Sequence, residues 1–146
     1  MGERMSAELN RLLRERKLLR IRPDRKLILK EVEGATYDLT RARSSLDDDD
    51  AKWAIVKAYY AMFHSARALL FSKGFREKSH RALLAALREL FRTSIEPELF
   101  DAFEDGMAMR EEADYSMTYS EESASELLQN AQRFLLEAKR ILKIEN

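Results

Sequence analysis

From Arg25 onward the apolar positions recur at three- and four-residue intervals, the spacing of one face of an α-helix. Leu27, Val32, Ala35, Leu39 and Ala42 form such a stripe between Arg25 and Ser44. Ile21-Arg22-Pro23-Asp24 breaks the pattern before it. Asp24 is the expected N-cap, since its carboxylate can accept from the free N–H groups of a first helical turn. After an acidic connection from Ser45 to Asp50, the segment Ala51 to Lys73 carries Trp53, Ile55, Val56, Tyr59, Tyr60, Met62, Phe63, Ala66, Leu69, Leu70 and Phe71, more than one apolar face. A helix apolar nearly all round is the central, buried one, and Gly74 is its natural C-cap. Ser79 caps a helix running through Leu83, Leu84, Leu87, Leu90 and Phe91. Pro97 fits the first turn of another, with Leu99, Phe100, Phe103, Met107 and Tyr115 on its inner face. Ser120-Glu121-Glu122-Ser123 opens the last, which buries Leu127, Leu128, Ala131, Phe134, Leu135, Ala138 and Ile141.

No run alternates at period two for long enough to claim a strand. Five principal helices with short connections predict an all-α, up-and-down bundle. Residues 6 to 20 also read as helical, with Leu9, Leu12, Leu13 and Leu19 as a partial apolar face among Arg11, Arg14, Arg16, Lys17 and Arg20. The expected division is a basic N-terminal helical extension over 1–22 and the bundle over 23–146.

Composition narrows the function classes. A chain of 146 residues is one domain by size. The absence of cysteine excludes disulfides, thiolate metal sites and thiol catalysis, and it fits a reducing, cytoplasmic setting. Lys plus Arg number 26, as do Asp plus Glu, so any contact with nucleic acid is expected to be a local patch rather than the whole surface. No apolar run approaches the ~20 residues needed to span a bilayer, so no membrane association is expected. Met1-Gly2-Glu3-Arg4-Met5-Ser6 lacks the apolar stretch of a signal peptide; it matches the short myristoylation pattern, which chance supplies readily.

Three constellations could carry chemistry. Lys57, Tyr60, His64 and Arg67 lie three, four and three residues apart, one polar stripe on the central helix. Such a stripe must be paired with neighbouring helices or a second subunit, or else line a cleft. Lys78, Ser79, His80 and Arg81 sit at a helix start, where free N–H groups attract anions; with Arg110 they are the candidate phosphate ligands, against the plainer reading of a cap with solvated basic residues. Arg110 and Asp114 are four apart and can pair on one helix, or lie with Tyr115 across a dimer seam. The aspartates 47–50 lack the spacing and turn glycine of a calcium loop and read as helix-capping charge. No glycine-rich phosphate loop or hydrolase elbow is present, and neither histidine has a second at metal spacing, so no metal and no cofactor is expected.

Lys57-Ala58-Tyr59-Tyr60-Ala61-Met62-Phe63-His64-Ser65-Ala66-Arg67-Ala68-Leu69-Leu70 resembles the central-helix motif of one branch of the HEPN domains. Gly74 followed by Lys78-Ser79-His80 resembles that branch's Gly…Lys-Thr-His segment, and Arg110 to Tyr115 its Arg-x-x-Ala-Asp-Tyr segment. The likeness covers residues 25 to 143. It implies a dimeric HEPN-like bundle, a four-helix core plus an extra helix, of the kind encoded beside a minimal nucleotidyltransferase in a toxin–antitoxin-like pair.

Many members of that family are metal-independent ribonucleases using Arg, four to six residues, then His. Here the positions that should hold Arg for His64 are Lys57, Ala58 and Tyr59, and those for His80 are Lys73, Gly74 and Phe75. Tyr115 stands where Arg110 calls for a His, and a tyrosine with pKa of about 10 is a poor base beside a histidine at about 6.5. The first reading is therefore a non-catalytic, dimeric module that binds nucleotide or RNA phosphate and partners a nucleotidyltransferase, with Tyr115 or Tyr119 a conceivable nucleotidyl acceptor. The alternative is a ribonuclease with a displaced site, using His80 or His64 as base and Arg110 or Arg67 on the phosphate.

Overall fold

The computed structural model describes residues 5–145. Met1 and Gly2, which carry the myristoylation pattern, lie outside them. Six α-helices and two short strands follow in the order α1 (Ala7–Arg14), β1 (Leu18–Arg20), α2 (Arg25–Asp47), α3 (Ala51–Ser72), β2 (Phe75–Glu77), α4 (His80–Leu90), α5 (Pro97–Glu111) and α6 (Glu121–Leu142). A π-helical turn over Glu112–Ser116 joins α5 to the last loop. Helix α3 is the axis, packed against α2, α6, α5 and α4. Tyr59, Met62, Leu69 and Leu70 of α3 are fully buried, and the small Ala54, Ala58, Ala61, Ala66 and Ala68 let neighbouring helices approach it on several sides. No helix of the described residues is long and apolar enough to cross a membrane.

The caps fall where the polar punctuation puts them. Asp24, Asp50, Ser79 and Ser120 each accept a backbone N–H of the helix that follows. Pro97 occupies the first turn of α5. Gly74 takes the left-handed conformation, φ 83°, that ends α3, and a Cβ there would lie 3.2 Å from the Ile21 carbonyl oxygen.

Besides Leu27, which is 44% exposed while Ile28 takes the buried position at the start of α2, four expectations need correction. The helix expected over residues 6 to 20 stops at Arg14. There the amides of Arg16 and Lys17 turn back to the carbonyls of Leu13 and Leu12, and Arg16 adopts φ 58°. The chain then forms β1, which pairs antiparallel with β2. Strands of three residues are too short to leave a period-two signal; their pairing, with Leu18 buried beneath, is what makes them strands. Second, α2 continues through Ser45, which is buried, to Asp47, so the acidic connection is shorter than expected. Third, Ile141 is only partly buried, and Leu142 takes the inner position at the end of α6. Finally, Tyr115 is not on an inner face. The π-turn changes the helical register after Glu111, so Ala113 is buried and Tyr115 stands 82% exposed.

Leu9, Leu12 and Leu18 join the same hydrophobic core as the bundle, and α1 packs on α4. The ribbon thus holds the start of α4, and with it His80, against α3.

Candidate functional site

Three elements meet around His80. It is the first residue of α4, fixed by the Ser79 hydroxyl accepting from the Ala82 amide at 3.0 Å. One ring nitrogen, Nδ1, shares a short hydrogen bond with the Tyr59 hydroxyl of α3. The imidazole stacks on Phe63, centroids 4.3 Å apart, and lies nearly parallel to Tyr59 at 5.6 Å. From the last turn of α5, Arg110 sets its guanidinium carbon 5.4 Å from the Tyr59 ring centre and 5.8 Å from that of Tyr60. Residues 30 positions apart in the chain thus converge on one tyrosine pair.

Gly106 makes room for this approach of α5. A Cβ there would lie 3.1 Å from Leu127 Cδ1 and 3.4 Å from Tyr59 Cδ1.

The electrostatics follow from burial and from the cation. Burial pushes the His80 pKa below its ordinary value, and the neighbouring Arg110 and Arg67 push it the same way. Burial holds the Tyr59 phenol well above its usual range, against the opposing pull of Arg110. At neutral pH the pair is therefore a neutral imidazole on a neutral phenol. If the phenol donates to Nδ1, Nε2 carries the ring proton and is a donor; if Nδ1 donates, Nε2 is a free base. Nε2 has no hydrogen-bond partner among the described residues.

Arg110 is incompletely satisfied. Its Nη1 reaches Asp114 Oδ2 only at 3.5 Å, and its buried Nε has no partner. An arginine held this way offers donors to an anion.

The polar stripe of α3 mostly turns elsewhere. Lys57 Nζ donates to Ser45 Oγ of α2 at 2.8 Å. His64 lies between Glu31, at 3.1 Å from Nδ1, and Asp38, at 3.5 Å from Nε2. Arg67 Nη1 is 3.3 Å from Glu31, and its Nε is 3.1 Å from Glu77 Oε2. The Glu77 approach is close but misaligned, since Arg67 Nε and Glu77 Oε1 make no hydrogen bond; we read it as Coulombic attraction rather than a directional bond. Phe63 and Phe71 sandwich the guanidinium at 5.4 and 5.1 Å. For Lys57, His64 and Arg67 the structure supports the inter-helix reading over the cleft reading. Tyr60 packs edge-on against His80, and Arg67 borders the cluster through the Phe63 ring.

Of the other expected site residues, Lys78 and Arg81 are exposed and in no ion pair among the described residues, and Ser79 is spent on its cap. Asp114 steadies Arg110, while Tyr115 points to solvent. Among the described residues no three His, Asp or Glu side chains are grouped to hold a metal ion. Sequence reasoning assigned Tyr59 and Phe63 to packing alone. The one signal was the hydroxyl itself, because a tyrosine on a fully buried helix face needs a polar partner.

The class is thus a helical bundle whose basic and aromatic side chains meet at the junction of three helices. Residues 30–141 match the HEPN domain, and the chain belongs to that family. It is 29% identical over 134 residues to a Methanocaldococcus jannaschii protein named "putative toxin", covering 89% of this chain and 90% of the relative. A second protein of that name from the same organism is 30% identical over 115 residues, 77% and 86% of the two chains. A Thermotoga maritima protein named "UPF0332 protein" is 31% identical over 110 residues, 68% and 83%.

Proposed function

We propose that this HEPN protein is the phosphate-binding member of a toxin–antitoxin-like pair. It would act as a homodimer, hold a nucleotide or RNA phosphate between His80 and Arg110, and partner a minimal nucleotidyltransferase. The observation that carries the reading is the convergence of His80 and Arg110 on Tyr59, with the Arg110 Nε buried and unpartnered. A phosphate oxygen arriving there accepts from the guanidinium and from the Nε2–H of the tautomer in which Tyr59 donates. The names of the two Methanocaldococcus relatives accord with a toxin-type role. Tyr115 at 82% and Tyr119 at 44% exposure leave both hydroxyls open to the partner enzyme. A nucleoside triphosphate would transfer its nucleotidyl group to the tyrosine oxygen and release pyrophosphate.

One observation favours a second reading, ribonuclease activity. His80 and Arg110 lack the family's sequence spacing yet both lie against the Tyr59–Tyr60 pair. In the tautomer with Nδ1–H donating to Tyr59, neutral Nε2 takes the proton of a ribose 2′-hydroxyl. The 2′-oxygen then bonds to phosphorus as the phosphorus–5′-oxygen bond breaks, the 5′-oxygen takes a proton from water, and Arg110 offsets the charge that develops on the phosphoryl oxygens.

The test is titration with AMP and incubation with RNA, without added metal, for wild type, His80→Ala and Arg110→Ala. The binding reading expects at least a tenfold loss of AMP affinity in each variant and no cleavage by wild type. Cleavage by wild type, lost in both variants, establishes the second reading. Unaltered AMP binding in both variants, or none in wild type, refutes the site.

A further inference from the structure

The zero net charge conceals a segregation. Residues 11–30 carry nine Lys and Arg against two acids, and residues 96–126 carry eleven Asp and Glu against Arg110 alone. The cations are therefore concentrated on α1, β1 and the start of α2. The β1–β2 ladder decides where several of them point. Leu18 lies opposite Glu77, Leu19 opposite Arg76 and Arg20 opposite Phe75. The ladder is extended by the Lys78 amide donating to the Lys17 carbonyl at 3.0 Å. Opposed residues share a face and successive residues alternate. Leu18 and Phe75 are buried on the inner face, so Lys17, Leu19, Arg76 and Lys78 occupy the outer one, and all four are exposed.

This outer face is arranged against its own stability. Lys17 stands across from Lys78, and like charges directly opposed weaken a strand pair. Arg76 and Lys78 have no acidic partner among the described residues; Lys17 has only Glu15, at 3.2 Å, which Arg11 also engages. At the turn into β1, Arg16 occupies the left-handed position after a helix end where glycine is the usual residue. Cations retained against local preference mark a surface kept for binding. Its position names the ligand. Lys78 and Ser79 run directly into His80, while Arg76 is up to about 13 Å of extended chain away. A single phosphate held at His80 leaves Arg76 and Lys17 unused, whereas a strand of linked phosphates engages them. The aromatic setting of His80 suits an unstacked base, as single strands provide.

We infer that the outer face of the β1–β2 ribbon is a second anion-binding surface, a track for the backbone of single-stranded RNA leading to His80. The inference rests on the reading of His80 and Arg110 as a phosphate site.

The test compares wild type with Lys17→Gln/Arg76→Gln, measuring affinity for a labelled single-stranded RNA 12-mer across salt concentrations, and for AMP. Two lost phosphate contacts reduce the salt slope by about 1.4 and the RNA affinity by about 25-fold at 0.1 M salt. AMP binding and circular dichroism stay as in wild type. The inference is overturned if wild type does not bind the 12-mer, or if the double variant binds it with unchanged affinity and slope. It is also overturned if the variant's only defect is loss of a salt-sensitive self-association, which would assign the ribbon to the acidic face of a second copy. Failure of the His80 reading shows separately, as absent AMP binding with the ribbon-dependent salt slope intact.

Discussion

Replacing Tyr59 by phenylalanine removes one oxygen atom from the fully buried centre of α3 and nothing else. Among the described residues that oxygen has no hydrogen-bond partner but His80 Nδ1. The stacking of His80 on Phe63 at 4.3 Å survives the change, so the loss is confined to the hydrogen bond and the half-buried nitrogen left behind. A neutral bond contributes about 1 kcal/mol, and an orphaned buried partner raises the cost to about 1–2 kcal/mol. In a chain of this size that lowers Tm by about 2–8 °C. A double-mutant cycle in urea, with Tyr59→Phe, His80→Leu and the pair, isolates the interaction; a coupling of about 1 kcal/mol or more is expected. AMP affinity should fall as well, because the phenol fixes which imidazole nitrogen is presented to the phosphate. Additive single substitutions with undiminished AMP affinity in Tyr59→Phe would refute the account of Tyr59 as the residue that orients His80.

Stability should depend on pH through His80. Its pKa is lowered in the fold from about 6.5 in the unfolded chain, so the unfolded state binds more protons between the two values. The contribution is complete above about pH 6.5 and is lost as pH falls below it toward the folded value. The urea midpoint of wild type should drop over that window more than that of His80→Leu. Gly106→Ala should destabilise by about 1–3 kcal/mol, since its methyl meets Leu127 at 3.1 Å and Tyr59 at 3.4 Å; the urea midpoint reads this directly. Arg16→Gly should do the reverse, raising stability by about 0.5–1 kcal/mol as the left-handed strain is relieved, while reducing the salt slope of RNA binding by about 0.7.

The bundle was legible in the sequence wherever one short segment decided the outcome. Asp24, Asp50, Ser79, Ser120 and Pro97 announce helix starts because capping involves residues within one turn. The all-round apolar pattern of α3 announces its central place. The ribbon was not legible, since three residues at Leu18–Arg20 become a strand only through partners at Phe75–Glu77. Nor was the π-turn that expels Tyr115, because nothing local distinguishes Glu112–Ser116 from one more turn of α5. Of the candidate site, the sequence grouped His80 with Arg110 as phosphate ligands but not the residue that joins them. The tyrosine that unites them lay among the core residues, 21 positions from His80, where its hydroxyl had no visible partner.

The pairing of β1 with β2 also bears on synthesis. Residues 7–20 leave the ribosome well before the strand and the helix they pack on, which lie at 75–90. A nascent chain stalled after α3 therefore displays Leu9, Leu12 and Leu18 without a cover, together with a strongly cationic segment. The last docking event available to this early segment also secures the start of α4. Assembly of the His80 cluster is thereby deferred until translation has passed Arg110, so ribosome-bound fragments ending before that residue cannot bind phosphate in the manner proposed for the finished chain.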